Sequence, residues 1–217
     1  MEQVPEPRWH VVVPVKGGPT AKSRLRSSLD DSALDHGGLD DGALVAAVAH
    51  DTLAVTADVV GTDHVVVVTA EPGETAYALS QGFVVVGDPG TGLDDACSAG
   101  VREVLQRGGT HVAVLLGDHP ALTARELGDA LRRGSAHPSF FVADADGTGT
   151  ALVGTTTGRG PALAFGAGSA GRHRDLGHVA LDVEAPGLRH DVDDEVSLRW
   201  AVEHLTPGPR TLAALGR

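Results

Sequence analysis

Cysteine, lysine and aromatic residues are all scarce in this chain of 217 residues. A single cysteine, Cys97, excludes an internal disulfide and suits a reducing compartment. With aromatics at 3 % of residues, any core must be aliphatic, as in parallel sheets. No uninterrupted apolar run approaches bilayer length. The start, MEQVPEPRWH, is acidic and proline-rich, unlike a secretory leader. A cytoplasmic location with no membrane partner is therefore expected. A net charge of −12 argues against a nucleic-acid surface. It also means that an anionic substrate would need clustered cations or a bound metal to meet it.

Lysine is the most uneven absence. Fifteen arginines accompany only two lysines, Lys16 and Lys22, and both lie in one short segment with Arg24 and Arg26. A chain that uses arginine elsewhere but sets its compact ammonium charges there points to a need for them, with codon bias as the plain alternative. The segment comes after an apolar run, Trp9–Val15, that reads as the first strand. A strand leading into a basic, glycine-containing loop is a common way to cradle phosphates. The loop is not a Walker A motif, since Ala21 stands where that motif needs glycine before Lys-Ser.

The length suits one α/β domain over residues 1–217. Further strands are expected at 63–69, 83–86, 112–116 and 139–143, with short ones at 151–153 and 162–165. Helices are expected at about 39–57, 71–80, 93–106, 124–133 and 195–204, with a short one in 27–38. Alternation in the first half indicates a mostly parallel, doubly wound sheet. Strands without intervening helices in the second half suggest antiparallel additions. Pro207 and Pro209 suggest that 206–217 form a loose tail.

The apolar run ending in Gly117-Asp118-His119-Pro120 puts Asp118 at the carboxyl end of a strand, where open α/β sheets place their ligand crevice. Thr123 and Glu126 have the spacing of a capping box. Asp191-Val-Asp193 would present two carboxylates on one side of an extended segment. With Asp118 they would supply the hard oxygen ligands that Mg²⁺ prefers. Turn capping by Asp118, and helix capping by Asp194, are the plain alternatives. Asp146-Gly-Thr-Gly-Thr150 is either an anion-binding nest or an ordinary glycine-rich turn. Gly166–Gly171 matches the dinucleotide fingerprint, but Gly177 soon interrupts the helix that such a site requires, so no nicotinamide site is expected. A small-anion pocket of Ser169, Arg172 and His173 suits it better. Asp94 is either a helix cap or a carboxylate able to accept paired hydrogen bonds from guanine.

Taken in order, PVK…AKSRL, GLD-x2-C, GDHPAL, DGTGT, FGAGSAGRH and DVD resemble the guanylyltransferases that make the phospholactyl or phosphoenolpyruvyl guanosine intermediate of coenzyme F-420 biosynthesis. The likeness runs from Val13 to about His204. It implies a glycosyltransferase-A-like, Rossmann-like fold and one or two Mg²⁺ ions on Asp118, Asp191 and Asp193. It implies that GTP lies against Pro14, Val15, Lys16, Lys22, Ser23, Arg24 and Asp94, with Lys22 and Asp118 catalytic. The acceptor would meet Thr148, Gly149, Thr150, Gly166, Ser169 and His173. That acceptor is phosphoenolpyruvate or 2-phospho-L-lactate. The arginine-rich, lysine-poor composition resembles GC-rich actinobacterial proteins and favours phosphoenolpyruvate. A homodimer is a further open expectation. Two departures stand out: the family usually has Asn at position 94, and often Ala-Asp-Leu-Pro where this chain has Gly117–Pro120. A pterin-guanylylating enzyme fits the N-terminal loop poorly. A receiver-type phosphoacceptor domain would need an acidic pair after the first strand, where this chain has Lys16.

Overall fold

The computed structural model describes residues 8–16 and 41–217. The expected short helix in 27–38 lies outside them. A mixed sheet is ordered β3-β2-β1-β4-β6-β5-β7. Its strands are β1 (Trp9–Pro14), β2 (Val65–Thr69), β3 (Val84–Gly87), β4 (His111–Leu115), β5 (Ser139–Ala143), β6 (Thr150–Thr155) and β7 (Val179–Ala180). β6 pairs antiparallel with both β4 and β5, and the other pairings are parallel. The fold is therefore the mostly parallel α/β sheet expected, with its antiparallel addition in the second half.

The valine runs explain the layering. Successive side chains of a strand point to opposite faces. Val11, Val13, Val65, Val67, Ala113 and Leu115 fill one face. Val12, Val66, Val68, Val112 and Val114 fill the other. Both faces are covered, so these strands read as continuous apolar runs. The first face packs against α1 (Asp41–Val60) and α4 (Ala124–Gly134). The second packs against α3 (Leu93–Gln106), which lies so close that a Cβ on Gly100 would collide with Val12 Cγ1. The few aromatics are concentrated: Phe140 meets Trp9 edge-on at 5.7 Å and lies over Gly134 and Gly154.

Several boundaries differ from expectation. The segment 62–64 winds into a 3-10 turn, delaying β2 to Val65. β3 is displaced by one residue, and α1 runs three residues further than the apolar spacing indicated. Residues 162–165 form no strand. α1 is long and apolar enough over Gly42–Val60 to cross a membrane by length and composition, although His50, Asp51 and Thr52 interrupt its apolar run. It serves as a core helix here, with Leu44, Val48 and Leu53 buried. The hydroxyls of Thr52 and Thr56 donate back to the carbonyls of Val48 and Thr52.

α2 (Pro72–Ser80) comes after β2, and the other described helices are α5 (Ser169–Asp175), α6 (Pro186–Arg189), α7 (Glu195–His204) and α8 (Pro209–Ala214). The expected loose tail is thus corrected: α8 is tied to α1. The buried Asp51 carboxylate accepts hydrogen bonds from the Thr211 N–H at 2.8 Å and the Arg210 N–H at 3.2 Å. Pro209 opens this helix rather than breaking it, since the first turn needs no proline N–H. Replacing Asp51 with Ala would strand the buried Thr211 N–H. Asp51→Ala should therefore lower stability by about 1–3 kcal/mol in urea unfolding; an unchanged midpoint would mean that α8 adds nothing to the fold.

Candidate functional site

β1 connects through α1 to β2 on one side, and chain order resumes on its other side at β4. The carboxyl ends of β1 and β4 therefore border the sheet's topological switch point, the usual ligand crevice of such sheets. Asp118 lies just past β4 there. Gly117 lets the turn close against β1, since a Cβ on it would lie 3.2 Å from the Pro14 carbonyl oxygen. The Asp118 carbonyl accepts a hydrogen bond from the Val192 N–H at 2.9 Å. This docks the extended segment 191–193 against the end of β4. Val192 is buried, and Asp191 and Asp193 point to the opposite side, as their spacing indicated. Ligand atoms of Asp118, Asp191 and Asp193 all lie within 4.8 Å of one another. Burial, with the Asp118 carboxylate beside it, raises the proton affinity of Asp191. Three clustered carboxylates under mutual repulsion are a donor set suited to a hard divalent cation. Asp194 does not join them, because it caps α7 in a reciprocal box with Ser197.

Two connections join this cluster to the glycine-rich turn 144–150. The Ala145 N–H donates to the Arg189 carbonyl at 2.8 Å, and the Arg189 guanidinium donates to the carbonyls of Ala143 and Asp144. The turn itself departs from the anion-nest reading. The N–H groups of Thr148 and Gly149 already donate to the Asp144 carboxylate, at 3.0 and 2.8 Å. Asp144, missed in the sequence, occupies the nest. The signal was there, since Asp side chains commonly close turns onto nearby backbone N–H groups.

At the end of β1, Lys16 is exposed, while Val15 is buried with its N–H bound to the Val68 carbonyl. Val15 and Pro14 thus have no free N–H for a phosphate. Lys22, Ser23 and Arg24 lie outside the described residues. Asp94 lies in the first turn of α3 and accepts the Phe165 N–H at 2.9 Å, so the pure helix-cap reading is corrected. One residue earlier, the Ala164 N–H donates to His173 Nε2 at 3.1 Å. These side-chain acceptors hold residues 164 and 165 in place outside the sheet.

His173 is fully buried, and both ring nitrogens are engaged. Because Nε2 accepts from a backbone N–H, the neutral ring carries its proton on Nδ1, which lies 2.8 Å from Thr150 Oγ1. Ser169, also buried, donates to the same Thr150 oxygen. The Arg172 guanidinium is taken up by the carbonyls of Ala164, Phe165 and Ala167. A small-anion pocket of Ser169, Arg172 and His173 would therefore draw on groups already bonded within the protein. Thr148 and Gly166 differ from these buried groups: Gly166 is exposed, and Gly149 is half-buried beside Thr148. Cys97 is sealed in the core, and burial pushes its thiol up to about 12, which makes it inert.

No family model matches the chain. Curated relatives do. A phosphoenolpyruvate guanylyltransferase from Geodermatophilus obscurus is 43 % identical over 212 residues, covering 96 % of this chain and 94 % of that one. The Streptomyces coelicolor enzyme of the same name is 41 % identical, with 97 % of each chain covered. The chain belongs to the phosphoenolpyruvate guanylyltransferase family. Among solved structures, a 4-diphosphocytidyl-2C-methyl-D-erythritol synthase from Anaerococcus prevotii superposes with a TM-score of 0.58 at 10 % identity, over 91 % of this chain and 96 % of that one. That likeness bears on the fold alone.

In this guanylyltransferase-family chain the neutrality of His173 has a measurable consequence. Burial, then the neighbouring His178, lowers its pKa from 6.5 to about 4. Between those values the unfolded chain binds a proton that the native ring refuses, so stability falls as pH drops from 6.5 toward 4. At about 1.4 kcal/mol per unit, the loss is on the order of 3 kcal/mol. Unfolding midpoints of wild type should decline more steeply across that window than those of His173→Gln; parallel profiles would mean that the ring protonates without cost.

Proposed function

We propose that this protein transfers GMP from GTP to phosphoenolpyruvate, releasing pyrophosphate and forming enolpyruvyl-diphospho-guanosine for coenzyme F-420 biosynthesis. Full-length membership in the phosphoenolpyruvate guanylyltransferase family carries the reading. The carboxylate trio beside the switch point supports its mechanism. Asp118, Asp191 and Asp193 would hold one or two Mg²⁺ ions. When bound, these would supply charge neutralisation at the phosphates of GTP.

Lys16, with Lys22, Ser23 and Arg24, would meet the triphosphate. Val15 and Pro14 would contribute shape and carbonyl oxygens rather than N–H donors. Asp94 orders the 162–165 segment through Phe165, so any reading of guanine would fall to its second carboxylate oxygen. Thr148, Gly149 and Gly166 would face the acceptor, while Thr150, Ser169 and His173 hold that surface from behind. The acceptor's phosphate oxygen would attack the α-phosphorus of GTP in line. The bond from that phosphorus to the β-phosphate oxygen breaks, and pyrophosphate leaves. A phosphate monoester is already ionised at neutral pH, so no general base is needed. Catalysis is then positioning plus electrostatic stabilisation.

Pyrophosphate release from GTP and Mg²⁺, with phosphoenolpyruvate or 2-phospho-L-lactate in separate reactions, tests the assignment. Release is expected with phosphoenolpyruvate; preference for phospholactate would overturn the choice of acceptor, and release with neither would overturn the activity. Asp118→Ala should lower turnover by two decades or more, about 3 kcal/mol. The variant should remain folded, as read by its unfolding midpoint. Near-normal turnover in that variant would remove Asp118 from the chemistry.

A further inference from the structure

His119, the residue after Asp118, has no place in the mechanism above, yet its ring is the most unusual buried group beside the acidic cluster. The side chain is 1 % exposed. Neither ring nitrogen has a hydrogen-bond partner among the described residues. Its backbone is pinned on both sides: the N–H donates to Thr52 Oγ1 at 3.1 Å, and the carbonyl accepts from the Leu122 N–H at 3.1 Å. The ring is thus held in place with its polar atoms unsatisfied. A neutral imidazole carries one N–H donor and one acceptor, and burying a donor without a partner costs about 1–3 kcal/mol. A leucine would fill similar space without that cost.

The acidic cluster faces the ring. His119 Nε2 lies 3.5 Å from Asp118 Oδ1, and the ring is also within electrostatic reach of Asp191. At 3.5 Å the contact is about half an ångström beyond a normal hydrogen bond, a gap that a small turn of the carboxylate closes. A carboxylate that gives one oxygen to a cation leaves the other to be oriented by a neighbouring donor, and such neighbours tune metal affinity. We propose that His119 is a positioning residue, its ring N–H fixing the Asp118 carboxylate in the orientation that receives a divalent cation. This rests on the metal reading of Asp118, Asp191 and Asp193.

Mn²⁺ binding, followed by electron paramagnetic resonance or calorimetry, tests it in wild type, Asp118→Asn, His119→Leu and His119→Gln. His119→Leu should fold and bind Mn²⁺ roughly 10–100-fold more weakly. It should also raise the Mg²⁺ concentration for half-maximal turnover more than it lowers kcat. His119→Gln keeps a side-chain N–H donor and should recover most of the affinity. If leucine does not fit the site, His119→Met, which also lacks a donor, gives the same reading. A purely structural role would lower the unfolding midpoint and leave Mn²⁺ affinity untouched, which would overturn the proposal. Wild-type affinity in His119→Leu, with loss of binding in Asp118→Asn, overturns the positioning role while the metal reading stands. No Mn²⁺ binding in wild type, or none lost in Asp118→Asn, overturns both.

Discussion

Like charges within 4.8 Å of one another do not stay together unaided. At the effective dielectric typical near a protein surface, a pair of carboxylates at that separation repels by about 3 kcal/mol. Backbone contacts among the described residues help to hold Asp118 and Asp191 against this repulsion. The Val192 N–H binds the Asp118 carbonyl, Val192 is buried between the two acids of its segment, and the Asp194–Ser197 box anchors the chain where α7 begins. Arg189, the arginine nearest in sequence to Asp191, turns its guanidinium to the carbonyls of Ala143 and Asp144. Burial first, and then the Asp118 charge, raise the proton affinity of Asp191. On the proposed metal reading, a divalent cation bound there would relieve the repulsion, and the site would be most stable when loaded.

A second constraint shapes the neighbouring surface. Segment 162–168 has no sheet partner among the described residues, and several of its backbone groups are bound by the side chains of Asp94, His173, Arg172 and His178. These are long-range side-chain contacts, so the segment's position depends on separate elements. Through Thr150 they connect to the glycine-rich turn, and through Arg189 that turn connects to Asp191. Changes in the buried polar network should therefore be felt at Thr148 and Gly166 before they are felt in the core.

Much of this was legible in the chain. Two-faced valine runs mark buried parallel strands, and Asp-x-Asp spacing puts both acids on one side. The Thr123–Glu126 capping box forms as its spacing indicated, with the Thr123 N–H and Glu126 Oε2 3.0 Å apart. What was not legible depends on partners distant in sequence. Asp94 meets Phe165, and Asp51 meets Thr211 across 160 positions, contacts that no local pattern encodes. Ala162–Phe165 looked like a strand because an apolar pattern reports extension, not pairing. Pro209 looked like a breaker because proline both stops and starts helices. The glycine-rich turn looked like an anion nest because its N–H groups do converge, but on Asp144.

The claim that the fold is built to hold a cation on opposed carboxylates is tested most directly by the unfolding midpoint as Mg²⁺ is added. A ligand that binds only the native state raises that midpoint with concentration. Wild type should respond, whereas Asp191→Asn should start higher in the absence of metal and respond little. A wild-type midpoint indifferent to Mg²⁺, or an equal response in Asp191→Asn, would contradict the claim.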